Sequence, residues 1–261
     1  LFKFLTANLE RIISWNIFGV RSAFSAFLSM LESWEPDIVC LQETKIKTID
    51  ACFNIVGYHQ IWNEADDAAH LGTALFTKSL KQGNTLNDGL KGVYKREHII
   101  VAELESVYVV GVYVPYAGKE QSTRMYRHDW FKSFQHIIHQ LQAHKPCIIC
   151  GDFNIVQRDI DAFDNMSVKS AACFTRQEHI DFEHFMQAET LVDVYRYLHP
   201  DKQQEGFTYY PFGGEYRINK EGYRIDLFLT SKQLMGKVVD CYPLQEVEGS
   251  CNVPLLLDIN I

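Results

Sequence analysis

An apolar run over residues 147–150 stops at Gly151 and is followed at once by Asp152 and Asn154. A carboxylate can take or hold a proton, and a nearby amide can donate to an anion. The run reads as a strand buried on both faces, and such a strand delivers its polar tip at the rim of a sheet. Taken alone, these residues would equally suit a strand end closed by turn-forming Asp and Asn. The chain repeats the pattern elsewhere. Residues 11–17 form a short apolar strand that carries Asn16, and residues 37–41 form another that ends at Gln42, Glu43 and Thr44. Residues 107–114 run through Tyr113, and Asp226 sits inside the apolar run 223–230. An unpaired buried carboxylate is costly, so Asp226 requires a partner.

The elements that must position these groups follow from periodicity. Residues 20–34 predict an amphipathic helix with Phe24, Phe27, Leu28 and Leu31 inward, and 123–144 a longer one with Tyr126, Trp130, Phe134, Ile137, Ile138 and Leu141 inward. The spacing Thr175-x-x-Glu178 is a capping box that opens a third helix, with Phe182, Phe185 and Met186 inward. Further strands are predicted at 55–61, 73–76, 99–104, 207–212, 238–240 and 255–259, and loops at 79–92 and 213–222. Many strands with a few helices, not strictly alternating, point to two packed sheets flanked by helices.

Composition sets the bounds. The chain has 261 residues, 47% hydrophobic, enough for one large core. We expect a single domain over 11–261 after an N-terminal extension, 1–10, that lacks a signal-peptide pattern. No apolar run approaches the ~20 residues that span a bilayer, so no membrane partner is expected. A net charge of −8 argues against a purely electrostatic nucleic-acid binder, but not against an enzyme that meets a polyanion through a local basic patch. Seven Cys, an odd number, predict free thiols in a reducing intracellular compartment, whether cytoplasm, nucleoid or nucleus. Cys147 and Cys150 would point to opposite faces of their strand, so they read as core rather than as a metal or disulfide pair.

In chain order the polar tips lie in SWNI-x-G-x-R, DIVCLQETK, VYVP-x-AG, GDFN followed by DID, and YRIDLFL. This set closely resembles the exonuclease III / AP endonuclease branch of the endonuclease–exonuclease–phosphatase family, from about residue 11 to the C-terminus. The resemblance implies an α/β (α+β) four-layer sandwich: two mixed β-sheets face to face, flanked by helices. It implies a monomeric phosphodiesterase that uses Mg2+ (or Mn2+) on duplex DNA with abasic or 3′-damaged sites. By the same resemblance Glu43 is the metal ligand, and Asp152 positions or deprotonates the attacking water. Asn16, Tyr113 and Asn154 donate to the phosphate, and Asp226 pairs with a His near the C-terminus. Asp161 matches a further loop carboxylate. Tyr209, Tyr210, Tyr223 and Ile225 match the pocket for a base-less sugar, and Lys119, Arg124, Arg127, Arg217 and Lys220 match DNA-facing loops.

The sequence departs from that pattern where chemistry is most exposed. The family's closing G-S-D-H-x-P is here Gly249-Ser250-Cys251-Asn252-Val253-Pro254, so Cys251 replaces an Asp and Asn252 the catalytic His. Phe18 stands for an Asp or Asn, and Tyr116 for an Asn. Loss of one transition-state donor costs roughly 10²–10³ in rate, and loss of a proton-transfer group roughly 10²–10⁴. Two expectations follow: an enzyme with weakened hydrolysis, or a protein of the same fold that binds DNA or metal without useful cleavage.

Overall fold

The computed structural model describes residues 8–64, 71–78, 98–163, 173–211 and 214–261. The apolar runs pair into two mixed sheets. The first joins β1 (Leu9–Asn16), β2 (Ile38–Gln42), β3 (His59–Asn63), β4 (Thr73–Thr77), β10 (Val238–Pro243) and β11 (Leu255–Asn260), in the order β10-β11-β1-β2-β4-β3. The second joins β5 (Ile99–Glu103), β6 (Tyr108–Tyr113), β7 (Cys147–Asp152), β8 (Leu191–Asp193) and β9 (Asp226–Ser231), in the order β5-β6-β7-β9-β8. Helix α1 (Val20–Trp34) covers the first sheet, packing Phe27 and Met30 on Trp15, Val39 and Phe76. Helices α2 (Gln121–Gln142) and α3 (Arg176–Ala188) cover the second, where Phe134 and Phe185 meet Val110, Ile149 and Leu229. Between the sheets lies a third apolar layer, including Ile12, Cys40, Leu75, Val109, Cys150, Phe228 and Leu257. The result is the four-layer sandwich.

Alternation then decides where each tip points. In β7, Cys147 and Ile149 pack toward the helices, whereas Ile148 and Cys150 pack between the sheets. Asp152 shares the parity of Cys150, Asp226 that of Phe228, Tyr113 that of Val109 and Asn16 that of Ile12. All therefore belong to the inter-sheet face, at one end of the sandwich. The CxxC residues lie on opposite faces as expected, and all seven cysteines are free.

Several boundaries and faces differ from the sequence reading. β1 starts at Leu9, where it pairs with Asn260 of β11. Leu28 is 42% exposed and Tyr126 46% exposed. Their places inside are taken by Ala23 and Met30 on α1 and by Arg127 and Phe131 on α2. β3 forms only from His59, after a turn at Val56 and Gly57. The expected strand at 207–212 is not formed over its described residues: Tyr209 makes only isolated bridges, to Tyr223 and to Asn252. The expected loop 213–222 contains a short helix, α5 (Gly214–Ile218), and a second short helix, α4 (Val194–Leu198), follows β8. The loop expected at 79–92 lies outside the described residues. Among the described residues, no helix is long and apolar enough to cross a membrane.

One glycine fixes the pairing that carries Asp152. Gly151 sits at φ 149, and a Cβ there would lie 1.8 Å from the carbonyl oxygen of Val112 on β6. Gly151→Ala should therefore lower the unfolding free energy by roughly 3 kcal/mol or more, read from chemical denaturation. An unchanged midpoint would mean that β6 and β7 can part at this point without cost.

Candidate active site

The strand tips meet in a cleft of about 430 Å³ at the end of the sandwich. β1 supplies Asn16, the turn after β2 supplies Glu43, and β6 supplies Tyr113. Asp152 and Asn154 come from the end of β7, and Asn252 from the segment before β11. Asn16 donates from Nδ2 to Glu43 Oε1 and to Asp152 Oδ2, each at 2.9 Å. Asn252 donates from Nδ2 to Asp226 Oδ2 at 2.9 Å. Asn16 of β1 in the first sheet and Asn252, just before β11 of the same sheet, each meet an aspartate of the second, so the two sheets are tied together at the cleft.

Asp152 and Asp226 are register partners on adjacent antiparallel strands. Burial pushes the Asp152 carboxyl up to about 7; the amides of Asn16 and Asn154 oppose this, and the charge of Glu43 adds to it. Burial also drives Asp226 well above the ordinary carboxylate range, helped by the charge of Asp152 and opposed by Thr208 and Asn252. Asp226 Oδ1 is buried and without a hydrogen-bond partner among the described residues, which further disfavours its charged form. The Tyr113 hydroxyl is raised by burial and by the charges of Glu43 and Asp152, so it stays protonated and able to donate.

The backbone turns sharply at this rim. Phe18 (φ 50), Glu43 (φ 48) and Asn154 (φ 46) all adopt the left-handed region, at roughly 1–2 kcal/mol for an ordinary L-residue. Strand parity alone would aim Glu43 toward α1; the left-handed turn brings it round to Asn16. Asn154 is held by its own N–H, which donates to Asp152 Oδ1 at 2.9 Å, and by Nδ2, which donates to the Val114 carbonyl at 3.0 Å.

The donor set does not suit a divalent metal. Mg2+ takes one or two carboxylates and several waters in near-octahedral array. Glu43 Oε1 accepts from Asn16, and Oε2 lies 3.4 Å from the Lys45 ammonium. That ammonium lies 3.2 Å from the centroid of the Phe18 ring. Cys251 is half-buried and is not among the residues that line the cleft. Among the described residues, no three His, Cys, Asp or Glu side chains group in a way that would hold a metal ion.

The remaining candidates divide between two places. Tyr209, Tyr223, Ile225, Phe174 and Tyr116 line the cleft with Phe18. Tyr209 and Tyr223 stack at 6.5 Å, and Phe174 meets Tyr223 edge-on at 5.7 Å. Tyr210 instead lines a second cavity of about 510 Å³ with Arg217 and Lys220. Its hydroxyl donates to Gln245 Oε1, and Arg217 donates to the carbonyls of Gln245 and Val247. Lys119 and Arg124 are exposed at the start of α2. Arg127 is not at the surface: it is buried and donates to the carbonyls of Pro115 and Phe153 at 2.6 and 3.1 Å. Its place on the apolar stripe of α2, three residues before Trp130, was the signal for burial. Asp161 is likewise no free loop carboxylate. It is fully buried between Arg224 and Arg196, and Arg224 also pairs with Asp193 at 2.7 Å. Sequence reasoning missed Arg224 and Lys45. It also missed Thr208, whose hydroxyl accepts the N–H groups of Ile225 and Asp226.

Comparison with known proteins identifies the family and the fold. A model described as the Endonuclease/Exonuclease/phosphatase family matches residues 13–248. A DNA-(apurinic or apyrimidinic site) endonuclease of Dictyostelium discoideum is 34% identical over 264 residues, covering 97% of this chain and 72% of that protein. An exodeoxyribonuclease of Bacillus subtilis is 32% identical over 253 residues, covering 96% of this chain and all (100%) of that protein. Among solved structures, an AP endonuclease from Archaeoglobus fulgidus superposes with a TM-score of 0.85 at 24% identity, covering 97% of this chain and 100% of that one, a likeness of fold.

The electrostatics of Asp226 give a stability test. A carboxyl whose folded pKa is raised stabilises fully below its unfolded value, about 3.9, and loses that contribution as pH rises through the folded value. Asp226→Asn removes the titration and keeps the acceptor for Asn252. The variant should be more stable than the parent at pH 8, on the order of 2 kcal/mol, and the gap should close as pH falls toward 4. Thermal unfolding at the two pH values reads it. A gap that is constant with pH would mean that Asp226 is ionised in the fold.

Proposed function

Because the chain belongs to the endonuclease/exonuclease/phosphatase family, we propose that it acts on DNA at abasic or 3′-damaged sites as a phosphodiesterase whose hydrolysis is weakened. The observation that carries this reading is Asp152, buried at the cleft floor, raised to about 7 and oriented by Asn16 and Asn154. A base with that proton affinity is matched to taking a proton from water near neutral pH. The protonated Tyr113 hydroxyl and the second N–H of Asn154 would face the phosphoryl oxygens as charge develops there. Tyr209, Tyr223 and Phe174 offer an apolar wall for a sugar that lacks its base. Lys119 and Arg124 would meet the flanking phosphates.

The weakness lies at Asn252. Its amide orients on Asp226 but carries neither a removable proton nor a positive charge, so the leaving oxygen departs without an acid from that position. The resemblance implies Mg2+ (or Mn2+) as cofactor, with Glu43 as its ligand. The donor set around Glu43 does not fit that ion, and no step is assigned to it. The free thiols agree with a reducing intracellular compartment. A second reading, recognition of DNA without useful cleavage, is favoured by the same Asn252–Asp226 pair.

The test is incision of a labelled duplex with a single abasic site, run with Mg2+ and with chelator. Slow incision that disappears in Asp152→Asn is expected. The double change Cys251→Asp with Asn252→His should raise it by roughly 10²–10⁴. Bound duplex with no incision over a long incubation would favour the second reading. Failure to bind abasic duplex at all would remove both.

A further inference from the structure

Two rings of the cleft stand in water. Phe18 and Tyr116 both line it and are 55% and 53% exposed, whereas Tyr209, Tyr223 and Phe174 are half-buried. Phe18 follows β1 of the first sheet and Tyr116 follows β6 of the second, so the two rings reach the cleft from different sheets. Exposed apolar residues scattered singly need no explanation, but rings gathered in one cleft mark a recognition surface. Both positions also depart from the family pattern in the same direction, each carrying a ring where that pattern has a polar side chain.

The backbone under each ring is fixed. The Phe18 N–H donates to Asn16 Oδ1 at 3.2 Å and the Gly19 N–H to the Glu43 carbonyl at 2.8 Å, which holds Phe18 at its left-handed φ of 50. The Lys45 ammonium lies 3.2 Å from the centroid of the Phe18 ring, so one face is covered and the other is free to stack. Tyr116 is bracketed on both sides: Arg127 donates to the Pro115 carbonyl at 2.6 Å, and the Thr123 hydroxyl donates to that of Ala117. A side chain already held in place loses less freedom when a ligand settles on it.

A flat, exposed ring at a nucleic-acid site suits a nucleobase, because every base has a π-face. Paired bases cannot present that face, since they are stacked inside the duplex, and a base must leave the stack to reach a cleft. Unstacking costs least beside a damaged or missing partner. We propose that Phe18 and Tyr116 each stack a nucleobase that has left the duplex, so that the cleft takes its DNA as a frayed or unpaired strand in preference to intact duplex. This rests on the reading of the cleft as a DNA site and adds which form of DNA enters it.

The experiment compares three labelled probes by fluorescence anisotropy with the full chain. One is a thymine strand of about 12 nucleotides, one is a strand of equal length in which every sugar is a base-free tetrahydrofuran, and one is the thymine strand paired with its complement. All carry phosphorothioate linkages, so Mg2+ can be present without cutting. Charge density alone favours the duplex. The thymine strand should instead bind about tenfold or more tighter than the base-free strand, the worth of a stacked base, and tighter than the duplex. Phe18→Leu and Tyr116→Leu, which keep an apolar side chain but no flat ring, should each lower the ratio of thymine to base-free affinity about fivefold or more. Phe18→Tyr and Tyr116→Phe should keep that ratio. Equal affinity for the thymine and base-free strands, or tighter binding of the duplex, overturns the inference and leaves the DNA reading in place. A base preference that survives both Leu variants also overturns it, because the half-buried rings then supply the stacking. Absence of binding to all three probes overturns the DNA reading and this inference with it.

Discussion

Two carboxylates cannot be buried side by side unless something donates to both or one gives up its charge. At the rim of this sandwich one amide does the first: Asn16 Nδ2 reaches Glu43 and Asp152 together, each at 2.9 Å. Glu43 follows a strand of the first sheet and Asp152 ends a strand of the second, so this bond is also a cross-sheet tie. It sets how the two sheets meet at the cleft, and the orientation of Asp152 depends on it. Asn252 makes the parallel tie to Asp226. The remaining site groups are arranged about these two amide–carboxylate pairs.

Each acid in the cleft is then neutralised by a different means. Glu43 meets the Lys45 ammonium. Asp152 is pushed to about 7, chiefly by burial. Asp226 has one oxygen without a hydrogen-bond partner among the described residues and is raised well above the ordinary range by burial. Asn252 and Phe18 are consistent with each other in this light. A neutral Asn beside Asp226 supplies a hydrogen bond but no countercharge, so burial decides the protonation state. A Phe beside Glu43 supplies a face for an ammonium but no ligand for a metal.

Behind the cleft, buried arginines take the place that an apolar core would fill. Arg224 and Arg196 enclose Asp161, and Arg224 reaches Asp193 at the end of β8. Removing one partner from such a set leaves a buried charge uncompensated, so the set fixes the bend before β9 rather than adding stability outright. That bend brings Tyr223 and Ile225 to the cleft wall and starts β9 at Asp226. Arg127 does similar work on the other side by gathering the carbonyls of Pro115 and Phe153 under α2.

The sequence by itself determined the layers and the polar tips. Apolar runs that stop at Asn16, Glu43, Tyr113 and Asp152 specify buried strands that end at one rim, and strand parity assigns Cys147 and Cys150 to opposite faces, because a period of two leaves no choice. The α1 boundaries were also legible, but its inner face was only partly so: Leu28 fits the period and is exposed, whereas Ala23 and Met30 join Phe27 and Leu31 on the buried face. What only the tertiary structure decided were the long-range pairings. Asn16 meets Asp152 across a sequence separation of 136, Asp161 with Arg224 turns a loop carboxylate into a buried one, and Lys45 with Phe18 turns a surface-type lysine into a fixed charge. Residue type and spacing describe what a side chain can do locally. Which partner it meets depends on how the two sheets close and on left-handed turns at Phe18, Glu43 and Asn154, which ordinary residues adopt only when packing holds them there.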